Sequence, residues 1–158
     1  MSLLGRRLQL TNDVNTFVGQ WSHIPVEASY SPNTDYLIDG VTPYTLPICE
    51  TTNEPIALLT SDGVGTLTAT RDCIGDAFFS CFYDVSGSTD VYVGIYINNF
   101  LQIQLRVSSA SAGDSFVLTK RLSLNAGDTI SVRSNNVGAP TGNCNIRQET
   151  TRFLFRVY

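Results

Sequence analysis

The residues that could do chemistry are few. His23 is the one histidine of the 158-residue chain, so any Ser-His-Asp or Cys-His mechanism must run through it. It stands in Trp21-Ser22-His23-Ile24-Pro25, beside no nucleophile motif, and a structural role fits that setting better than a catalytic one. Fourteen Asp and Glu residues offer no selected pair for glycoside cleavage. Gly63-x-Gly65 reads as a turn, because no helix follows it to hold a phosphate. Cys49, Cys73, Cys81 and Cys144 lack any C-x2-C metal-ligand spacing. They read as small buried hydrophobes, and a bridge between Cys73 and Cys81 requires that their strands be neighbours. Asp84 and Asp90 could share a calcium ion with the carbonyls between them, yet a β turn accounts for that glycine-containing loop equally well. The expectation is a protein without catalytic residues, metal or cofactor.

Binding chemistry is better represented. Gln102, Gln104 and Arg106 alternate with Leu101, Ile103, Leu105 and Val107, and Tyr92 and Tyr96 alternate with Val91, Val93, Ile95 and Ile97. A period of two marks half-buried strands, so the aromatic, amide and guanidinium groups share outward faces that meet water, a sugar or a sister subunit. Arg6 and Arg7 complete the set of candidate interface or ligand residues.

The strands that must carry these groups form an antiparallel hairpin. A two-residue turn at Asn98-Asn99 would set Ile95 opposite Gln102 and put the two apolar rows on opposite faces. Sidedness therefore predicts an odd loop, Asn98-Asn99-Phe100, pairing Ile97 with Leu101 and Ile95 with Ile103. Ser115 to Leu122 and Thr129 to Arg133 continue the pattern as two more strands.

Earlier in the chain, residues 1–20 read either as a first strand or as an arm that docks on a neighbouring surface, and residues 21–158 as one domain. Five of the six prolines fall between Trp21 and Pro55, which predicts short strands and long loops there, including 26–30 and 35–38. Val64 to Arg71 reads as a strand with threonines on one side. Asp76 to Val85 is apolar on both faces, Phe78 and Phe82 on one and Phe79, Cys81 and Tyr83 on the other, as in mid-sandwich or under a subunit contact. Val137 to Asn145 reads as a loop. The final strand, 150–158, turns Phe153, Phe155 and Val157 inward. No helix longer than two turns is predicted, and roughly eight to ten strands at such spacing make an all-β antiparallel jelly-roll sandwich.

Only 15% of residues are charged, against about a quarter in an average domain, so Ser, Thr, Asn and Gln must fill the surface. Such composition is common in extracellular and virion β proteins that self-associate. The net charge of -4 argues against coating nucleic acid. No apolar run is long enough to span a membrane, and MSLLGRRLQL is too short and polar to serve as a signal peptide.

The most specific local pattern is Leu122-x-Leu124-x-Ala126-Gly127-Asp128-x-Ile130-x-Val132. Gly127 permits a positive backbone torsion and Asp128 can accept bonds from turn amides. This corner resembles the L-x-x-GD-x-V strand-turn-strand of the tumour-necrosis-factor-like jelly roll, with Leu124, Gly127 and Asp128 matching and Ile130 in the valine's place. Phe78-Phe79-Ser80, the 91–98 strand and Phe153-Leu154-Phe155 extend the likeness over about residues 63–158. The resemblance implies a compact homotrimer, and similar modules form phage fibre heads, tail knobs and capsid decorations. The expected role is thus a non-enzymatic virion structural protein whose partners are itself and capsid or tail proteins. The alternative is an adhesin or receptor-binding head that recognises cell-surface glycans.

Overall fold

Alternation of apolar and polar residues, broken by Gly, Asn and Asp at turns, gives a chain built of strands. The computed structural model describes residues 26–32, 35–38, 44–53, 58–85, 90–107, 114–137 and 144–157. Arg6, Arg7, His23 and the proposed N-terminal arm lie outside them. Thirteen strands are described, more than the eight to ten expected. They are β1 (Val26–Pro32), β2 (Tyr36–Ile38), β3 (Tyr44–Thr45), β4 (Ile48–Asn53), β5 (Leu59–Ser61), β6 (Thr66–Ala69), β7 (Cys73–Val85), β8 (Asp90–Ile97), β9 (Phe100–Val107), β10 (Asp114–Leu124), β11 (Thr129–Val137), β12 (Cys144–Ile146) and β13 (Arg152–Val157). The helical content of the described residues is one 3-10 turn, Gln148–Thr150.

All pairings are antiparallel and fall into two sheets. In the first, β7 pairs along one side with β10 and along the other with β13 and then β12, while β1 joins β13 to β4 and β2 flanks β12. In the second, the order is β5-β6-β11-β8-β9, with β3 beside the far end of β11. Along β7 to β11 the chain passes from the first sheet to the second, turns there in the β8–β9 hairpin, returns to the first at β10 and crosses again to β11, which is the jelly-roll connection. The inner faces meet in one core: Ala28, Tyr30, Ala77, Phe79, Cys81, Leu118, Phe153 and Phe155 from the first sheet, and Leu67, Val91, Val93, Ile95, Ile130 and Val132 from the second. Phe153 and Phe155 point inward as the alternation predicts, and Leu67 and Ala69 are buried with Thr66 and Thr68 on the other side.

Several expectations are corrected. The β8–β9 connection is a two-residue turn, not an odd loop: Asn98 and Asn99 both have positive φ, 49° and 70°, as a tight hairpin turn of the type I′ kind needs. Ile97 consequently faces Phe100, and Tyr96 faces Leu101. Register is restored one step on, where Ile95 does pair with Ile103, because Gln102 is an extra residue in a β bulge. Sidedness is preserved by the bulge rather than by the loop, and Leu101 ends on the outer face, 48% exposed.

Cys73 and Cys81 share strand β7 and are free, as their reading as unpaired thiols expects, since an extended strand holds residues eight apart about 26 Å from each other. One further correction concerns residues 144 and 145: expected in a loop, they belong to β12, which extends the sheet beside the end of β7. Strand β7 is fully buried on its inner face, with Phe78 and Phe82 half-buried on the outer one.

Candidate functional site

Two outer faces carry the groups that can recognise something. On the second sheet, the order β11-β8-β9 fixes who meets whom. Arg106 lies opposite Tyr92, Gln104 opposite Gly94, and Arg133 of β11 opposite Gly94 from the other side. The Arg106 guanidinium donates to Asp90 at 2.7 Å and sits 5.7 Å from the Tyr92 ring centroid. Its carboxylate partner holds its pKa above the ordinary arginine value. Arg133 stacks more closely, 4.7 Å from the centroid of Tyr96, and donates to Ser131 Oγ at 3.2 Å and to Asn99 Oδ1. At Gly94 an added Cβ would meet Leu101 Cδ1 at 2.8 Å and Tyr96 Cε2 at 3.1 Å, so those two side chains close over the glycine.

Tyr92, Tyr96, Gln104 and Arg106 are thus brought onto one face, and Gln102 joins them at the bulge with its amide turned back to the Phe100 carbonyl, 3.1 Å away. Sequence reasoning missed Arg133 and Leu101. The first was visible as an outward position between Val132 and Ser134, but its meeting with Tyr96 depends on β11 lying beside β8. Asp90, weighed as a calcium ligand, is engaged by Arg106.

The outer face of the first sheet differs in character. Cross-strand register sets Arg121, Asp76, Arg156 and Glu27 in one row across β10, β7, β13 and β1. The next row holds Thr119, Phe78, Leu154 and Ser29. Arg156 donates through Nη2 and Nε to Glu27 Oε2 at 2.7 and 3.1 Å, and lies 5.7 Å from the Phe78 ring. Val117 on the edge strand β10 is 62% exposed. Two shallow cavities open on this face, each beside a phenylalanine. One, of about 280 Å³, is lined by Asp76, Phe78, Thr119, Lys120 and Arg121. The other, of about 270 Å³, is lined by Asp35, Phe82, Arg147, Glu149 and Thr150. In the latter, the Gln148 amide and the Arg147 guanidinium hold the Asp35 carboxyl below its usual range.

The corner between β10 and β11 joins the sheets. Gly127 has φ +90°, and its N–H donates to the Ala69 carbonyl while Ala69 N–H donates to the Asp128 carbonyl, both at 2.8 Å. Asp128 accepts from the Asn125 amide at 2.7 Å and from Asn98 Nδ2 at 2.7 Å, which lowers its pKa. Asn98 Oδ1 accepts from Thr129 N–H at 2.9 Å. The corner thereby ties the β8–β9 turn to the β10–β11 turn.

Two antiparallel sheets with this corner define a tumour-necrosis-factor-like jelly roll. Solved structures agree. The chain is similar to the Eiger TNF of S. frugiperda, with 15% identity over 85% of this chain and 92% of that one and a TM-score of 0.62. It is similar to murine APRIL at 12% identity over 85% and 100%, TM-score 0.65, and to pika GITRL at 18% over 84% and 94%, TM-score 0.56. At such identities the likeness is one of fold. No protein-family model and no curated protein matches the chain.

Proposed function

We propose that this protein is a non-enzymatic, self-associating jelly-roll module, three copies packing through the outer face of the first sheet, and that it serves as a head, knob or decoration on a virion. The observation that carries the reading is that face itself. Phe78, Phe82 and Leu154 are half-buried there, Val117 is 62% exposed, and the two shallow cavities beside the phenylalanines have the size to accept side chains of another copy. An apolar patch rimmed by charged rows is the anatomy of a protein–protein interface. The trimer is the assembly implied by the resemblance to the tumour-necrosis-factor-like jelly roll. The virion role is supported by a chain with 15% charged residues, whose polar surface is made largely of uncharged groups.

The test is the mass in solution. Light scattering at micromolar concentration is expected to give three times the 17.3 kDa chain mass, and a monomer at that concentration would overturn the assembly. Purified particles that contain the protein in fixed stoichiometry, losing it when residues 1–12 are deleted, support decoration. Absence from particles rejects it.

A further inference from the structure

We infer that the outer face of the second sheet binds a carboxylate-bearing sugar, with Arg133 receiving the carboxylate. This face lies on the other side of the sandwich from the proposed self-association surface, so the inference stands independently of the trimer. Among the described residues no carboxylate is within ion-pair distance of Arg133, Arg71, Arg121 or Arg152, whereas Arg106, Arg147 and Arg156 each have one; of the four without an anion, Arg133 is the one stacked on an aromatic ring. The guanidinium is nonetheless fixed. Tyr96 lies beneath it at 4.7 Å, Ser131 accepts from Nε, and Asn99 accepts from Nη2. A guanidinium presents five donors in a planar fork suited to bidentate recognition of carboxylate. Two of its nitrogens are used, and Nη1 has no partner among the described residues. A prepositioned cation without its own anion, on a protein of net charge -4, is complementary to a single negative group.

The surroundings select a sugar over an acidic protein surface. Leu101 and Tyr96 close over Gly94 and form a small apolar shelf beside the cation, suited to the C–H face of a pyranose. Gln104, in register with Gly94 on the strand beyond, is exposed, and its amide both donates and accepts, as hydroxyl recognition needs. Adjacent strands are about 4.8 Å apart, so Gln104 and Arg133 flank a span of about 10 Å, the scale of a mono- or disaccharide. Long-range repulsion by the chain's own net charge of -4 grows with the charge of the partner, so it opposes a polyacidic protein far more than a lone carboxylate.

The experiment titrates sialyllactose into the intact protein, following the Arg133 side-chain Nε–H and Tyr96 ring signals by NMR, with lactose and the sialyllactose methyl ester as neutral controls. Saturable shifts with sialyllactose and none with either control are expected. Arg133→Gln should weaken binding by about tenfold or more, and Arg133→Lys, which keeps the charge but loses the fork, should weaken it too. Equal binding of lactose, or binding unchanged in Arg133→Gln, overturns the inference. So does a response to hexaglutamate peptide with none to sialyllactose, which assigns the face to a protein. Because the neutral controls use the wild-type chain, the answer does not depend on the variants folding. The solution mass of Arg133→Gln should equal that of wild type, so failure here and failure of the self-association reading are distinguishable.

Discussion

Gly65 has φ +121°, and a Cβ there would lie 2.1 Å from the Leu46 carbonyl oxygen and 3.1 Å from Thr45 Cγ2. Backbone torsion and backbone contact therefore both forbid a side chain, since the tightest contact is with the Leu46 carbonyl, which cannot move away as a side-chain tip can. Gly65→Ala should cost about 2–3 kcal/mol, read as a lower urea midpoint with unchanged slope. Gly63, whose φ is +80° with open space around the position of a Cβ, is the control: Gly63→Asn should stay within about 1 kcal/mol of wild type. The acid limb of the stability curve belongs to the residue scale as well. At Asp62, burial pushes the carboxyl up, but three amides outweigh it. Val64, Gly65 and Thr66 N–H groups donate to Oδ1 at 2.8, 2.9 and 2.9 Å, and the net pKa is lowered. Asp128 and Asp35 are also lowered. A carboxyl whose folded pKa lies below its unfolded value stabilises the fold above the unfolded pKa and loses that contribution as pH falls through the folded one. Urea midpoints should thus be flat near neutrality and decline below the ordinary carboxylate range, and Asp128→Asn should make that decline shallower. A midpoint that rises on acidification would refute the assignment.

At the level of elements, the β8–β9 hairpin shows what a sequence discloses and what it withholds. Period-two alternation in 91–97 and 101–107 revealed both strands and the Ile95–Ile103 pair, because burial of one face constrains register strongly. It could not reveal how the parity mismatch is absorbed, since an odd loop and an even turn with a bulge satisfy the same sidedness. The decision is made by long-range bonds: Asn98 is held by Asp128 and Thr129 some thirty residues away. The outward row of tyrosines and Arg106 was legible for the same reason as the strands. The meeting of Tyr96 with Arg133 was not, because it depends on sheet order, which alternation does not encode. The bulge supports a specific prediction. Removing Gln102 leaves Ile97–Phe100 and Tyr96–Leu101 intact and brings Ile103 opposite Ile95 directly, so the deletion should be tolerated within about 1 kcal/mol. Deleting Gln104 instead leaves the bulge in place and moves Leu105, Arg106 and Val107 one position along, reversing their faces. It should cost several kcal/mol, about what burying a charge and exposing Leu105 implies. Equal urea midpoints for the two deletions would remove the bulge from its role in setting register.

For the whole molecule, the outer face of the first sheet decides whether the chain acts alone. Sequence alternation identified Phe78 and Phe82 as a row on β7, and the topology sets Leu154 and Val117 close to it on β13 and β10. An isolated sandwich gains nothing from an apolar row turned to water, whereas an assembly buries it. If copies associate there, native subunits are stabilised by mass action, and the unfolding temperature of wild type must rise with protein concentration. Phe78→Asp would place a carboxylate two residues along β7 from Asp76 on the same face, and Val117→Asp a second on the edge strand. Both sites keep their side chains outside the core, so the double variant should still fold as a sandwich while like charge and lost apolar area disrupt association. The expected result is a monomer by light scattering and an unfolding temperature independent of concentration, with strand content by circular dichroism equal to wild type. A folded double variant that keeps the wild-type mass and the same concentration dependence would move the subunit contact off this face, leaving the edge strands β9 and β10 as the surface to mutate next.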